Sequence, residues 1–208
     1  MADPSAHADD RACRALHWAC SPLLCFCDVT RVRDVPTYEV RLARAGEEGA
    51  ICDVCREGFA VSSHGLLSPA AIERQVQLYY NPARVREEIM TAGDTPRWQG
   101  YVVAVSELDL VLGAVGGGVT DHAVGNVYVL YLNPSLRGRG IGTALLDFVT
   151  KQQKSEGATE QWVSVTEGND LGIPFYVARG FVIRDRVPFI LADDGSVEAQ
   201  SLRMSRAI

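Results

Sequence analysis

The chain has 208 residues, 47% hydrophobic and 22% charged, with a formal net charge of −6 at pH 7. That length can bury one sizeable core, and the composition is that of an ordinary globular chain, not a disordered or fibrous one. The acidic balance argues against general nucleic-acid binding and mildly favours a cationic substrate, and no apolar run reaches the roughly 18 residues of a membrane-spanning helix.

Residues 1–36 read as an extension outside the fold, expected to be poorly ordered: alanine and aspartate dominate its start, and the stretch 29–36 alternates charge without helical periodicity. Four of the six cysteines lie there, at Cys13, Cys20, Cys25 and Cys27. The apolar stretch 18–29 is interrupted by Pro22 and lacks the order of a secretion signal. Cys25-x-Cys27 lacks zinc-knuckle spacing, so no metal is expected. The cysteines together imply a reducing, cytoplasmic setting.

The domain is expected over 37–208. Residues 38–42 alternate in period two, a strand with Tyr38, Val40 and Leu42 inward. Residues 47–59 read as a helix with an acidic start and a stripe of Ile51, Val54, Cys55 and Phe59; Cys52 and Cys55 then pack and form no redox pair. A loop is expected at 62–65. Ser68-Pro69 opens a second helix through about 80, and Pro82 a third to about 91. Strands are expected at 98–105 and 111–119, the second marked at Gly116-Gly117-Gly118 by a bulge or a close approach of backbone. The run 127–132 is a buried strand, ended by Asn133-Pro134-Ser135. Ile141, Ala144, Leu145, Phe148 and Val149 recur at helical spacing up to Gly157. A strand at 161–166, a helix at 169–179 with Gly172 and Pro174 in its first turns, and strands at 181–190 and 197–204 complete the chain. The reading is α/β: a mixed, mostly antiparallel sheet of about seven strands flanked by helices.

Between the strand at 127–132 and the next helix stands Arg137-Gly-Arg139-Gly140-Ile-Gly142. Strand, glycine turn and helix start make an anion site, because the first amides of a helix have no partners within it. A dinucleotide fingerprint would need glycine where Thr143 stands, and a P-loop would need a lysine that is absent. The pattern is Arg137-x-x-Gly140-x-Gly142. Downstream stands Asn169-x-x-Gly172-x-x-Phe175-Tyr176-x-x-x-Gly180-Phe181. Together these motifs resemble the GCN5-related N-acetyltransferase family, with Gly172 in place of the family's alanine. The resemblance runs from about 38 to 204 and is strongest over 127–181. The helices before Thr91 and the run Val165-Thr-Glu167-Gly-Asn169 also look somewhat like PaiA-type polyamine acetyltransferases.

The resemblance implies an acyltransferase that moves an acetyl group from acetyl-CoA, its co-substrate, to a primary amine of a small molecule or peptide by direct attack in a ternary complex. It implies a sheet splayed between the strands at 126–132 and 161–166, with pantetheine in the gap. Leu130, Tyr131 and Leu132 then meet the thioester and pantetheine. Arg137, Gly138, Arg139, Gly140, Ile141, Gly142 and Thr143 take the pyrophosphate, and Asn169 bonds the pantetheine arm. Tyr176 is the implied general acid toward the sulfur. Many relatives carry a glutamate on the strand before the glycine turn, where this chain has Asn126 and Tyr128. Glu167, Asp121, Glu107, His64 and His122 are other candidate bases, and a water chain is an alternative. The missing glutamate and Pro174, two residues before Tyr176, keep open a second class, a non-catalytic acyl-CoA sensor. Neither nucleic acid nor membrane is an expected partner, and a homodimer stays open.

Overall fold

The computed structural model describes residues 37–120, 123–191 and 194–208. The expected extension over 1–36, with its four cysteines, lies outside the described residues, as do Asp121 and His122.

Strand β1 (Tyr38–Leu42) forms one edge of the sheet. Tyr38 and Val40 face the core as expected. Leu42 does not; it is 46% exposed, where this edge strand runs out of covering structure. Helices α1 (Glu48–Ser63), α2 (Pro69–Tyr79) and α3 (Pro82–Met90) follow. Ile51, Cys52, Val54, Cys55 and Phe59 make the buried stripe of α1, and Cys52 and Cys55 are free thiols in that core. The helix runs one turn past Phe59 and takes in Ser62 and Ser63, expected in a loop. Ser62 Oγ bonds back to the Phe59 carbonyl at 3.1 Å, so the helix absorbs that hydroxyl itself. Ser68 accepts from the Ala71 amide and Asn81 from the Arg84 amide. Each is followed by proline, which presets the backbone and wastes no donor.

The remaining elements are β2 (Tyr101–Ser106), β3 (Val111–Thr120), β4 (Val124–Leu132), α4 (Ile141–Ser155), β5 (Glu160–Thr166), α5 (Gly172–Val177), β6 (Val182–Ile190) and β7 (Val197–Ala207). One seven-stranded sheet has the order β1-β2-β3-β4-β5-β7-β6. Only β4 and β5 pair in parallel, which is the expected mixed α/β sheet. Besides α1 and the earlier start of β4, three boundaries differ from the sequence reading. β2 starts after Gly100, whose φ of +94° breaks the strand. β7 continues three residues past Met204 to pair with the start of β5. The helix expected at 169–179 shrinks to α5, six residues long, because Asn169 caps a turn ahead of it. Pro174 sits in the first turn, where its missing donor costs nothing.

Alternate strand residues feed two cores. Val102, Ala104, Val115, Val127, Val163 and Met204 pack under α4 and α5. Val103, Val105 and Ala114 pack under the three N-terminal helices. Gly58 lets α1 sit against β4, since a Cβ there would lie 2.7 Å from Tyr131 Cβ.

Glu47 joins β1 to α1. Its carboxylate accepts two bonds from Arg41, at 2.6 and 3.0 Å, and one from the Arg44 amide at 2.7 Å. The Arg41 hydrogen bond holds the Glu47 carboxyl below its ordinary value of 4.5, against an opposing effect of burial. A depressed carboxyl stabilises the fold above its unfolded value, and that stability is lost as pH falls through the folded value. Glu47→Gln is therefore expected to destabilise by about 1–2 kcal/mol at neutral pH. In acid, where Glu47 is itself protonated, the gap to wild type should close. Urea midpoints measured across the acid range check this, and a pH-independent gap would refute it.

Candidate active site

β4 and β5 are hydrogen-bonded only from Val124 opposite Glu160 to Val127 opposite Val163. Beyond that the two parallel strands separate, although β4 runs on to Leu132 and β5 to Thr166. The cause lies on the other side of β4. Gly116 faces Val129 and Gly117 faces Val127, so Tyr128 has no residue opposite it. This bulge re-aims the end of β4. Val127 points into the core under α4, and Val129 into the core under α1. The gap opens into a cleft of about 750 Å³, walled by both cores.

At the mouth of the gap β4 ends in a short 3-10 turn (Pro134–Leu136), capped when Asn133 Oδ1 accepts from the Ser135 amide at 2.9 Å. Gly138 and Gly140 have φ of +74° and +84°, a region where other residues are strained. Gly140 is the N-cap of α4 and supplies no side chain, so the first amides of α4 are left for a ligand. At Gly142 a Cβ would meet Phe175 at 3.1 Å and Leu132 at 3.3 Å.

The sequence-expected residues Leu130, Tyr131, Leu132, Arg137, Gly138, Gly140, Ile141, Gly142, Thr143, Asn169 and Tyr176 all line this cleft. Arg139 is not part of its wall. Asn169 Oδ1 accepts from the amides of Leu171 at 3.1 Å and Gly172 at 2.8 Å. Its oxygen thus serves as a cap, which leaves its NH2 group to donate to a ligand. Gly172 has a reason as well: an alanine Cβ would press on Asn169 Nδ2 at 3.0 Å and Val165 at 3.1 Å.

Tyr176 is 6% exposed, held edge-on between Phe175 and Phe181 with ring centroids 5.1 and 5.2 Å away. Burial pushes its phenol well above the ordinary tyrosine value, and nearby Tyr131 adds to this. It therefore stays protonated at any physiological pH. Arg179 was not foreseen. It lies over the Phe175 ring at 3.7 Å, donates to the Phe175 carbonyl at 2.7 Å and hydrogen-bonds Thr143 Oγ1. Its Nε is buried without a partner, which puts a cation against the first turn of α4. The only sequence signal was its place before the terminating Gly180.

On the α1–α3 side the wall is aromatic. Phe59, Tyr80 and Tyr131 pack tilted or edge to face with centroids 5.9 to 6.2 Å apart. Trp98 meets Tyr101 at 5.1 Å and Tyr128 at 6.4 Å. Glu88 of α3 is the one carboxylate among the described residues that line the cleft. The candidate bases from sequence are elsewhere. Glu167 is paired with Arg186 at 2.5 Å, Glu107 lies in the β2–β3 turn, and His64 is exposed outside the cleft. The Asn126 amide is held by Thr120 and Val124. Among the described residues no group of three or more His, Cys, Asp or Glu is placed to hold a metal, and no helix is long and apolar enough to cross a membrane.

A mixed sheet that splits between two parallel strands, with a glycine-opened helix start at the split, defines an acetyltransferase-type fold. The chain matches the model of the acetyltransferase (GNAT) family over residues 70–181 and belongs to that family. Among solved structures, the PaiA N-acetyltransferase of Thermoplasma acidophilum, in complex with coenzyme A, aligns with a TM-score of 0.70 at 21% identity. The alignment covers 83% of this chain and 99% of that one. A phosphinothricin acetyltransferase from Sinorhizobium meliloti, in complex with AcCoA, aligns with a TM-score of 0.61 at 20% identity, covering 83% and 89%. The ribosomal-protein-S18-alanine N-acetyltransferase of Escherichia coli gives 0.60 at 13%, covering 83% and 94%. At these identities the likeness speaks for the fold.

Proposed function

We propose that this protein is an acetyl-CoA-dependent N-acetyltransferase that modifies a primary amine of a small molecule or peptide by direct attack in a ternary complex, with 37–208 as the catalytic unit. The observation that carries this reading is the gap between β4 and β5 running straight to the open N-terminus of α4. The residues fit the co-substrate. The first amides of α4, with Gly138 and Gly140 clearing the approach and Gly142 letting the helix start pack on Phe175 and Leu132, suit a diphosphate, and Arg137 and Arg179 supply charge. The free NH2 of Asn169 suits a pantetheine carbonyl. The splayed backbone of Leu130–Leu132 offers hydrogen bonds that β5 no longer takes.

The co-substrate supplies an acetyl thioester. Backbone amides of β4 near the bulge stabilise charge on its carbonyl oxygen. The cleft holds the thioester and a neutral amine side by side. Tyr176, protonated and facing the cleft, gives a proton to the departing thiolate sulfur. Water in the cleft takes the proton released by the attacking nitrogen, since Asn126 and Tyr128 offer no carboxylate.

Calorimetry with coenzyme A, followed by thiol release from acetyl-CoA across a panel of primary amines, tests the reading. Binding together with amine-dependent thiol release is the expected result. Absence of heat with coenzyme A would overturn it. Binding with no turnover in any amine would favour the acyl-CoA sensor, the reading that the missing β4 carboxylate supports.

A further inference from the structure

The described cleft has a part that the acetyl-CoA reading leaves without a role. Its α1–α3 side is walled by Phe59, Tyr80, Trp98, Tyr101 and Tyr131, and into this wall α3 sets a single carboxylate, Glu88. Arg84 and Trp98 hold Glu88 in place. Arg84 Nε donates to its Oε1 at 2.8 Å, and the Arg84 guanidinium in turn rests 4.7 Å from the Tyr79 ring centroid. Trp98 Nε1 donates to the Glu88 carbonyl at 2.6 Å, which ties this turn of the helix to the cleft wall. Arg84 occupies one oxygen of the carboxylate, the Tyr101 hydroxyl also hydrogen-bonds it, and the side chain keeps 23% exposure. A carboxylate has about four acceptor sites, so room for a further donor remains.

A separate feature marks this side as a ligand chamber. Gln75 of α2 lines the cleft, is 5% exposed, and its Nε2 is buried with no hydrogen-bond partner. A buried donor left unpaired costs about 1–3 kcal/mol, which packing alone would remove by placing leucine there. Its retention is explained by a guest that carries polar atoms.

We infer that Glu88 holds the ammonium group of the acceptor as it binds, before that nitrogen gives a proton to water in the cleft and attacks as the neutral amine, and that the acceptor's frame is aromatic or comparably bulky and apolar. This rests on the acetyltransferase reading of the same cleft. The chemistry is that of an organic cation: a carboxylate meets the charge, while ring faces attract the ammonium and cover the apolar frame. Glu88 is a specificity-determining residue in this account. An extended aliphatic diamine would leave most of the ring surface uncovered.

The test is binding to the full-length, coenzyme A-loaded protein by calorimetry, with three defined probes. Phenethylammonium should bind at least about tenfold more tightly than its neutral counterpart phenethyl alcohol. It should also bind about tenfold more tightly than putrescine. Glu88→Gln should abolish the preference for the cation over the alcohol while coenzyme A affinity stays unchanged, and Glu88→Asp should restore part of it. Glu87→Gln, an exposed carboxylate one residue away, should change nothing. Equal binding of cation and alcohol by wild type, retention of the preference in Glu88→Gln, or failure of both phenethyl probes to bind would overturn the inference. Tighter binding of putrescine would overturn its aromatic part. Failure to bind coenzyme A would count against the acetyltransferase reading instead, and the cation–alcohol comparison on the coenzyme-free protein would still decide the role of Glu88.

Discussion

Tyr176→Phe is expected to lower kcat by about 10²–10⁴-fold, the usual worth of a positioned general acid, and to leave coenzyme A affinity nearly unchanged. The substitution removes one oxygen and keeps the ring. Phenylalanine can hold the same edge contacts with Phe175 and Phe181, so the wall of the cleft should stay in place. Burial and Tyr131 keep the phenol protonated, with Arg179 opposing them only in part, so it has a proton to give; the same shift makes it a weaker acid, and its worth rests on its place in the cleft wall. Among the described residues no hydrogen bond occupies its hydroxyl. Because the thiolate accepts the proton in the transition state, the loss should fall on kcat and kcat/KM together, with little change in KM for acetyl-CoA. Steady-state kinetics in both substrates, with calorimetry for coenzyme A, measures the split. An unchanged rate would remove Tyr176 from the mechanism, and a matching loss of affinity would make it a binding residue.

How far the site could be read from sequence depends on what holds each part together. The glycine turn was legible because the constraint is local. A helix start that leaves its amides open to an anion needs glycines at fixed offsets, and Gly138, Gly140 and Gly142 stand at them. Asn169 and Tyr176 were legible through their spacing along one short segment. The splay of β4 from β5 was expected through family resemblance, while the register shift between β3 and β4 beside it falls at Gly116-Gly117, where the glycine run had marked a bulge. Glu88 was not legible. On α3 it reads as one of two adjacent charges on a solvated helix, and it becomes a cleft residue because Trp98, ten residues on and beyond the turn that ends α3, ties that part of the helix to the wall. Arg179 was missed for a similar reason: its partner Thr143 is 36 residues away in the chain. The length of α1 was misjudged because Ser62 and Ser63 look like loop residues until the helix bonds one of them and the core buries the other.

Gly118→Ala is expected to be the most damaging single-methyl change in the sheet. The run Gly116-Gly117-Gly118 looks in sequence like a weak strand, yet β3 runs through it without a break. Each glycine meets a different obstacle. A Cβ on Gly116 would lie 2.6 Å from the Trp98 indole, and one on Gly117 would collide with the Asn126 carbonyl oxygen. On Gly118 it would collide with the carbonyl of Arg97 and lie 2.8 Å from that of Pro96, both backbone groups that cannot rotate aside. The segment 96–98 is fastened there by Val119 N donating to the Pro96 carbonyl at 2.6 Å, and it carries Trp98 into the cleft wall. A methyl group at Gly118 must break that fastening or bend β3. The cost expected for such overpacking is about 3 kcal/mol, or a fall in Tm of about 6–12 °C for a domain of this size. Gly49→Ala is the matched control: Gly49 is helical and a Cβ there meets nothing within 4 Å, so a gain of about 0.5 kcal/mol is expected. Thermal melts of the two variants compare them directly. If Gly118→Ala melts with wild type, segment 96–98 does not press on β3 as described. If it folds but binds the cationic probe poorly, the damage has passed through Trp98 to the acceptor side of the cleft.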